Sequence, residues 1–477
     1  MTALPELLGD WGVRDGPLYR RLAAAIAAAI ETGQLARGTM LPPERSLALR
    51  LAIGRSTVVA AYELLRQGGV VQSRRGSGTW VAGARPHHQA AGMADALASA
   101  ALGSPGHVID LATAALGAPP ALRGVIDGLR ADEIDVLDTA GYYPVGLPLL
   151  RASLARYLTD TGLRTDPDQL LITTGDQQAL WLLCSYLLRD GGEAAVEDPT
   201  SPGVLDVLRA LPATIRTAPP LADPQGAGEL AGVANRADVR LLYVMATLNP
   251  LGQVASRVAR QELLVATSGV EHVIDDLSAM DLVFEAAPPP LAALDDSDRV
   301  ISVGSMSKLF WGGLRIGFIR TTPTLVGRLA RLKAQVDLGS SVLSQVVCAR
   351  LLETVDETRR QRLQQLGHQL DHALAVLSRE LPDVTIVRPV GGLSVWLQLP
   401  AGTGTGLADV ASRFGVAVVP GSVLSHRGGA DSGIRVVYAR DAAAFEAGTA
   451  RLGAAWRAYR EQLSAGMDAP MTGPVVV

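Results

Sequence analysis

The first part of this chain places apolar residues at helical spacing. One stripe recurs at every fourth position: Leu18, Leu22, Ile26 and Ile30. Residues four apart lie on the same face of a helix, so this stripe predicts one amphipathic helix. The pattern ends near Thr32-Gly33, where a polar residue and a glycine favour a helix end.

Two more helical segments and a hairpin follow. The residues at 41–51 and 56–67 have helical patterns, and Gly54 supplies the turn between them. Two helices joined this way form a helix-turn-helix, whose second helix enters the major groove of DNA. Residues 70–73 and 79–81 are typical of strands that flank a basic, glycine-rich tip at 74–78. The alternative is a small helical domain with a solvated charged face.

From residue 108 onward, short β-rich runs alternate with helical stretches. The runs are Leu170–Thr173, Glu193–Val196, Leu241–Met245, His272–Ile274 and Val300–Val303. This alternation predicts an α/β fold with a largely parallel central sheet. Residues 83–107 are small and of low complexity, which is typical of a flexible linker, and residues 466–477 form a predicted tail. His87-His88 in the linker is either a metal pair or, more simply, two solvated side chains, and we expect no metal.

Charge divides the chain into a basic head and an acidic body. Residues 11–85 hold eleven arginines and four acids, a net charge of +7, so the rest of the chain carries −11. This asymmetry indicates a nucleic-acid-binding module at the start of an acidic protein. No basic apolar leader or long apolar run appears, and the two cysteines lie in apolar segments. We therefore expect a cytoplasmic protein without a membrane span or disulfide.

Lysine occurs only twice in the 477 residues, as Lys308 and Lys333. An amine, unlike a guanidinium, can lose its proton and condense with an aldehyde, so Lys308 is a candidate for covalent cofactor attachment. Ser305, Ser307 and Arg315 surround it with the hydroxyl and guanidinium donors that a phosphate needs. The alternative is an ordinary surface lysine on a loop, the interpretation we give to Lys333.

Other polar residues follow the predicted strands, where α/β sheets gather their chemistry. Gly175, Asp176 and Gln177 open a helix whose free N–H groups are suited to a phosphate. Asn249 is either a donor to a phenolic oxygen or part of a turn. Asp275 either pairs with a pyridinium nitrogen or, with Asp276, caps a helix. Arg435, inside an apolar strand, needs a carboxylate partner.

The head resembles the GntR family of winged-helix bacterial transcription factors over residues 14–82. The resemblance rests on Leu-Pro-x-Glu-Arg at 41–45, Gly-Arg-Ser-Thr-Val at 54–58 and Arg-Arg-Gly-Ser-Gly-Thr-x-Val at 74–81. It implies that the residues that contact DNA are Arg45, Arg55, Ser56, Thr57, Arg75 and Gly76. Val59 stands where several members carry a basic residue, so one contact of the family is missing here.

The body, from residue 108 to about 465, resembles the fold-type-I, aspartate aminotransferase-like enzymes. The resemblance rests on the order of the phosphate turn, Asn-Pro, Asp, Ser-x-Ser-Lys, Gly-x-Arg-x-Gly and the late strand arginine. It implies that Lys308 forms an internal aldimine with pyridoxal 5'-phosphate, that Asn249 and Asp275 contact its ring, and that Ser305, Ser307 and Arg315 hold its phosphate. Arg435 is implied to bind an amino-acid carboxylate. Tyr142, in a tyrosine loop at 141–146, is implied to reach the phosphate of the neighbouring subunit.

A winged helix followed by this body is the layout of the MocR branch of GntR regulators. We assign residues 12–82 to the head and 108–465 to the body. Two departures put efficient transamination in doubt: Ser201 replaces an aromatic residue near the cofactor ring, and Leu277 replaces a tyrosine that bonds the ring oxygen.

Three hypotheses follow. The first is a homodimeric regulator that binds a double-stranded DNA operator and senses a small amino compound through external aldimine formation. The second is a working aminotransferase that carries a DNA-binding head. The third is a cofactor-free dimerisation scaffold.

Overall fold

The computed structural model describes residues 17–31, 40–42, 44–51, 53–67, 70–74, 78–81, 108–130 and 135–464. Contacts divide the chain into two compact units, residues 1–89 and 90–477. The predicted linker at 83–107 and the predicted tail at 466–477 lie outside the described residues.

The first unit consists of three helices and a small antiparallel sheet. The helices are α1 (Leu18–Glu31), α2 (Glu44–Leu51) and α3 (Arg55–Gln67), and the strands are β1 (Met40–Leu41), β2 (Val71–Arg74) and β3 (Gly78–Val81), in the order β1-β3-β2. The predicted helix face is confirmed, because Leu22 and Ile26 are fully buried against Leu47, Val58 and Leu65. The strand β1 was not predicted, since two residues leave too short a pattern.

The second unit is built on a seven-stranded sheet. Its strands are β5 (Leu170–Thr173), β6 (Gly192–Glu197), β7 (Ala213–Ala218), β8 (Val239–Val244), β9 (His272–Asp276), β10 (Val300–Ser305) and β11 (Gly317–Arg320), in the order β5-β11-β10-β9-β8-β6-β7. All neighbours are parallel except those of β11, which is antiparallel to β10 and β5. The prediction of a largely parallel central sheet is therefore confirmed.

Helices cover both faces of this sheet. They are α4 (Pro120–Asp127), α5 (Pro148–Asp160), α6 (Asp176–Leu187), α7 (Pro202–Arg209), α8 (Gly226–Ala234), α9 (Arg257–Ala266), α10 (Pro323–Val336) and α11 (Val342–Leu352). One face packs against Leu183, Leu205 and Leu329 of α6, α7 and α10, and the other against Leu230 and Leu263 of α8 and α9. Among the described residues, no helix is both long and apolar enough to cross a bilayer.

A smaller sheet completes the unit. It contains β12 (Thr385–Val387), β13 (Ser394–Gln398), β15 (Val419–Pro420) and β16 (Gly433–Val437), while β14 (Val416–Ala417) pairs with β4 (Ile109–Asp110). The long helices α12 (Val355–Glu380) and α14 (Ala442–Ser464), with α13 (Gly404–Arg413), cover it. The pairing of β4 with β14 ties the first described strand of this unit to its C-terminal part.

Candidate functional site

The N-terminal end of α3 presents a polar face. Arg55 and Ser56 are exposed and Thr57 is half-buried, whereas Val58 on the same turn is fully buried in the core. The Arg55 guanidinium donates to the Glu44 carboxylate at 3.2 Å, and both side chains remain partly exposed. The face predicted to contact DNA is therefore accessible, with its leading cation held by an acid.

The other predicted DNA contacts lie only partly among the described residues. Arg45 lies in α2, but its side chain is not among the described ones. Arg75 and Gly76, at the tip between β2 and β3, lie outside the described residues. Val59 is 38% exposed one turn after Arg55, so an apolar side chain occupies the position where the resembling family places a cation.

Lys308 lies in the turn that follows β10, at the end of the central sheet. Its side chain is half-buried, and its Nζ atom is 3.5 Å from the Ser278 Oγ atom. Ser278 lies two residues beyond the end of β9, the neighbouring parallel strand. Because parallel strands end at the same edge, the two turns bring the amine and this hydroxyl together.

The two serines before Lys308 are hydrogen-bonded to each other. Ser305 is buried, and its Oγ accepts a hydrogen bond from the Ser307 N–H at 3.3 Å. The Ser307 Oγ atom is buried and has no hydrogen-bond partner among the described residues. A buried hydroxyl without a partner is unusual in proteins, so Ser307 has a donor available for a ligand.

Arg315 and the turn at 173–177 meet although 141 residues separate the bonded pair. The Arg315 Nη2 atom donates to the Thr174 carbonyl at 2.8 Å. A Cβ atom on Gly175 would lie 2.8 Å from the same nitrogen, and Gly175 has φ of 82°, so a side chain would be both crowded and strained. The predicted phosphate arginine and the predicted phosphate turn are therefore neighbours.

Asp176 and Gln177 use their polar groups within the protein. The Asp176 carboxylate accepts from the Gln177 N–H at 3.0 Å, and the Gln177 side chain donates to the Gly203 carbonyl at 3.0 Å. Burial raises the pKa of Asp176, with Asp276 reinforcing the rise, while Lys308 and Arg315 oppose it. Asp176 therefore lies within the electrostatic reach of both predicted cofactor cations.

The acids Asp275 and Asp276 point to opposite faces of the sheet, as successive strand residues do. Asp275 accepts from the Leu291 N–H at 2.8 Å, and burial raises its pKa to about 6, although the Arg260 charge opposes the rise. Asp276 accepts from the Tyr243 hydroxyl at 2.5 Å and from the Ser278 N–H at 2.8 Å. Only Asp275 keeps a buried oxygen, Oδ1, without a partner among the described residues.

Asn249 is occupied by its own turn. Its Oδ1 accepts from the N–H groups of Leu251 and Gln253, each at 3.0 Å, and its Nδ2 donates to Gln253 Oε1 at 2.9 Å. The turn interpretation therefore applies to Asn249. A further role as a donor to a ring oxygen stays a prediction.

Tyr142 stands out from the protein surface, with 69% of its area exposed. Its loop is fixed at one end, where Gly146 (φ 110°) approaches Ile172 so closely that a Cβ atom would lie 2.1 Å from it. Tyr143 is anchored by its hydroxyl to Thr139 at 3.0 Å. Tyr142 is thus the tyrosine of this loop that faces outward.

Arg435 occupies the smaller sheet, opposite Trp396 on β13. Its Nη2 donates to the Ala112 carbonyl at 3.1 Å, while its Nε is buried without a partner among the described residues. Within those residues it forms no ion pair with an acid, and burial lowers its pKa to about 10. The guanidinium therefore retains donors for an external carboxylate.

The two departures noted in the sequence have different structural settings. Leu277 is 2% exposed and packs with Ile172, Phe310 and Leu314. The next residue, Ser278, supplies a hydroxyl to Lys308, which we did not anticipate. Ser201 precedes α7 as a half-buried N-cap.

The interpretation of Lys333 as an ordinary surface lysine was wrong. It lies in α10, is fully buried, and donates to the two Asp337 carboxylate oxygens at 2.7 and 3.0 Å. Asp337 also accepts from Gln178 Nε2 at 2.7 Å, and Gln178 Oε1 accepts from the Thr174 N–H at 2.8 Å. Lys333 is therefore linked to the turn at 173–177 through this buried network, while the charge of Lys308 acts on Asp176 of the same turn.

The unpartnered atoms test whether pyridoxal phosphate suits these residues. Asp275 Oδ1, Ser307 Oγ and Arg435 Nε are buried polar atoms without partners among the described residues. A protonated ring nitrogen, a phosphate oxygen and an amino-acid carboxylate are, respectively, the groups that would complete them. Together with the Lys308 amine, these atoms supply the kinds of donor and acceptor that this cofactor needs.

Comparisons with known proteins agree with this chemistry. Residues 132–452 match the aminotransferase class I and II family, and residues 18–81 match the gntR family of bacterial regulatory proteins. The chain is 33% identical to the 2-aminoadipate transaminase of Thermus thermophilus, over 66% of this chain and 80% of that protein. It is 29% identical to the probable rhizopine catabolism regulatory protein MocR of Rhizobium meliloti, over 76% and 78% of the two chains.

A solved structure shares the fold of the second unit. It is LysN, an α-aminoadipate aminotransferase of Thermus thermophilus, complexed with N-(5'-phosphopyridoxyl)-L-leucine. The TM-score is 0.66 at 28% identity, over 74% of this chain and 93% of LysN. The predicted fold of the body and the predicted helix-turn-helix head are both confirmed by these matches.

Proposed function

Because this chain belongs to the aminotransferase class I and II family and begins with a gntR-type helix-turn-helix, we propose that it is a transcriptional regulator of the MocR type. Its head binds an operator in double-stranded DNA. Its body holds pyridoxal 5'-phosphate and binds a small amino compound, whose presence changes operator binding. The observation that carries the proposal is an accessible recognition face in the same chain as a lysine site with unpartnered polar atoms.

The head supports DNA binding by its charge and by the exposed end of α3. Arg55 suits a bidentate contact to guanine or a phosphate, and the Ser56 and Thr57 hydroxyls suit the backbone. Arg45, Arg75 and Gly76 remain predicted contacts.

The body supports cofactor binding by its donor set. Pyridoxal phosphate, when bound, supplies an aldehyde that condenses with primary amines and a ring that accepts electrons. Lys308 would hold it covalently, and Ser305, Ser307 and Arg315 would bind its phosphate. The Asp275 Oδ1 atom, which has no partner among the described residues, would pair with its ring nitrogen. The Ser278 hydroxyl, 3.5 Å from the Lys308 Nζ atom, orients that amine.

Arg435 supports an amino acid, rather than a simple amine, as the effector. Its buried guanidinium lacks an acid among the described residues and keeps the unpaired Nε donor. A carboxylate placed there removes the cost of an unpaired buried charge, so the gain in affinity is large. For the effector to act as a switch, it must bind two arrangements of the protein with different affinity.

We also propose a cytoplasmic homodimer. Tyr142 and Leu338 are 69% and 52% exposed, and they flank a close contact in which a Cβ atom on Gly339 would lie 2.8 Å from the Tyr143 carbonyl oxygen. Exposed apolar side chains around a fixed loop suit a self-complementary interface, and paired heads read paired half-sites. Light scattering of the purified protein tests the mass.

The first experiment is an absorbance spectrum of the protein saturated with pyridoxal phosphate. Wild type should show a band in the near-visible range that borohydride fixes to Lys308. Lys308→Arg keeps the positive charge but cannot condense with the aldehyde, and it should lose both the band and the fixation. A band that persists unchanged in this variant contradicts the assignment.

The second experiment follows operator binding. Duplexes are selected from a random library with wild-type protein, and their affinity is measured by fluorescence anisotropy with and without a panel of amino acids and amines. We expect at least one amino acid to shift the affinity in wild type and not in Lys308→Arg. An equal shift in both proteins contradicts sensing at Lys308.

The alternative function is a working aminotransferase with a DNA-binding head. The likeness to a 2-aminoadipate transaminase favours it. Against it, Leu277 is buried among apolar side chains and has no hydroxyl, so Ser278 supplies the hydroxyl beside the amine in place of the tyrosine of the resembling enzymes. Steady turnover of an amino donor with a keto acid supports the enzyme. A single round of amine binding without turnover supports the sensor.

A further inference from the structure

The helix end assigned to the cofactor phosphate already contains an anion. Helix N-termini attract phosphate because their first N–H groups are free and the helix dipole is positive there. At α6 the first residue is Asp176, and its carboxylate accepts the Gln177 N–H at 3.0 Å. One of the donors that a phosphate would use is therefore occupied by a side chain of the protein.

The same carboxylate interacts with the cations assigned to the cofactor. The positive charges of Lys308, in the turn after β10, and Arg315, in the turn before β11, both lower the pKa of Asp176. Asp276, at the end of β9, opposes them as a second acid, and Asp176 in turn acts on the buried Tyr243 hydroxyl. The charges that act on the Asp176 carboxylate are thus those of two cations and one further acid.

The backbone of the turn is closely packed on both sides. A Cβ atom on Gly317 of β11 would lie 2.5 Å from the Gly175 carbonyl carbon and 2.8 Å from the Asp176 nitrogen. On the other side, the Arg315 guanidinium is bonded to the Thr174 carbonyl. Backbone packed this closely on both sides fixes where the Asp176 side chain begins.

We propose that the Asp176 carboxylate competes with the cofactor phosphate for this helix end, so that the phosphate binds with uptake of a proton by Asp176. This proposal rests on the proposed function. It assigns to Asp176 a regulatory effect on how tightly the protein holds its cofactor. Like charges a few ångströms apart repel strongly when they are shielded from water, and a protonated Asp176 removes that repulsion.

A structural role for Asp176 makes the opposite prediction. An acid in the first turn of a helix stabilises that helix, so removal of the charge would loosen the turn and weaken the binding of every ligand. Competition predicts instead that removal of the charge tightens binding, and only for ligands that carry the phosphate.

The test compares pyridoxal phosphate with pyridoxal, which lacks the phosphate. Dissociation constants are measured by equilibrium dialysis on the full chain, stripped of cofactor, between pH 6 and 8.5. The variants are Asp176→Asn and the smaller Asp176→Ser. The control is Asp190→Asn, an exposed acid just beyond the other end of α6.

At pH 8 we expect Asp176→Asn and Asp176→Ser to bind pyridoxal phosphate at least about tenfold more tightly than wild type, or about 1.4 kcal/mol. Pyridoxal affinity should change by less than about threefold, and the control should match wild type. The gap between wild type and variants should shrink as the pH falls, because wild-type Asp176 then takes up its proton.

Three results overturn the proposal while leaving the cofactor assignment intact: no change in affinity, weaker binding, or an equal gain for both ligands. If wild type and all variants bind neither ligand, the cofactor assignment itself fails, and the competition fails with it.

Discussion

The buried pair of Lys333 and Asp337 gives the sharpest stability prediction. Lys333 is fully buried, whereas the Asp337 side chain is 25% exposed. Asp337 also keeps bonds from Gln178 Nε2 at 2.7 Å and the Gly339 N–H at 3.0 Å. The two residues are therefore not equally dependent on each other.

Loss of the acid should cost more than loss of the amine. In Asp337→Asn a fully buried ammonium loses its charge partner, which costs about 3–5 kcal/mol of the free energy of unfolding. In Lys333→Met the buried charge disappears, the apolar stem is kept, and Asp337 retains two donors and water, so we expect a cost of about 1 kcal/mol. The double variant should lie within about 1 kcal/mol of Lys333→Met, because no unpaired ammonium remains.

Urea unfolding of the three variants and wild type, followed by circular dichroism, measures these differences as a double-mutant cycle. Asp337→Asn should also bind pyridoxal phosphate less tightly than Lys333→Met does, since Asp337 holds Gln178 and Gln178 holds Thr174. If Lys333→Met is as destabilising as Asp337→Asn, packing around the lysine stem matters more than the charge, and the reasoning fails.

Three further predictions concern other parts of the chain. Burial raises the pKa of Glu197 from 4.5 to about 7, so the folded state binds more protons than the unfolded state between these pH values. As the pH rises from 4.5 to 7, the free energy of unfolding of wild type should therefore fall by up to about 3 kcal/mol more than that of Glu197→Gln. Urea unfolding across this pH range measures the difference, and parallel profiles would contradict the prediction. Arg435→Met should weaken amino-acid binding by about thirty- to a hundredfold, or about 2–3 kcal/mol, because the carboxylate loses its partner. In titrations followed by absorbance, amines without a carboxylate should bind as before. Equal weakening of both classes would refute the assigned role. Glu44→Gln should change the free energy of unfolding by less than about 1 kcal/mol, because the pair of Glu44 with Arg55 is exposed. The same change should tighten DNA binding at low salt in anisotropy titrations. Weaker binding would mean that Glu44 orients Arg55.

Periodicity predicted the regular elements well where one face is buried. The stripe from Leu18 to Ile30 is the helix Leu18–Glu31, and the five predicted runs are strands of the central sheet. The antiparallel strand Gly317–Arg320 escaped prediction because four residues beside a glycine-rich turn carry no distinct pattern. In the C-terminal sheet, β12 and β15 have three and two residues and are too short to be recognised. Of its two five-residue strands, β16, which contains Arg435, was predicted and β13 was missed.

The sequence proposed the members of the site but could not give their geometry. Lys308, Ser305, Ser307 and Arg315 are close in sequence, so local spacing alone placed them together. Their meeting with the turn at 173–177 depends on β11 lying between β5 and β10. No local pattern contains that strand order.

The sequence by itself determined the basic head, the α/β body and the nature of the chemistry, because charge, periodicity and an amine among arginines are properties of the residues. Only the tertiary structure decided which groups bond to Asp275 and to Asp276, that Ser278 is the hydroxyl beside Lys308, and that Lys333 is buried. Burial and electrostatic contact are set by residues far apart in the chain. They exist only once the sheet has brought its strand ends to a common edge.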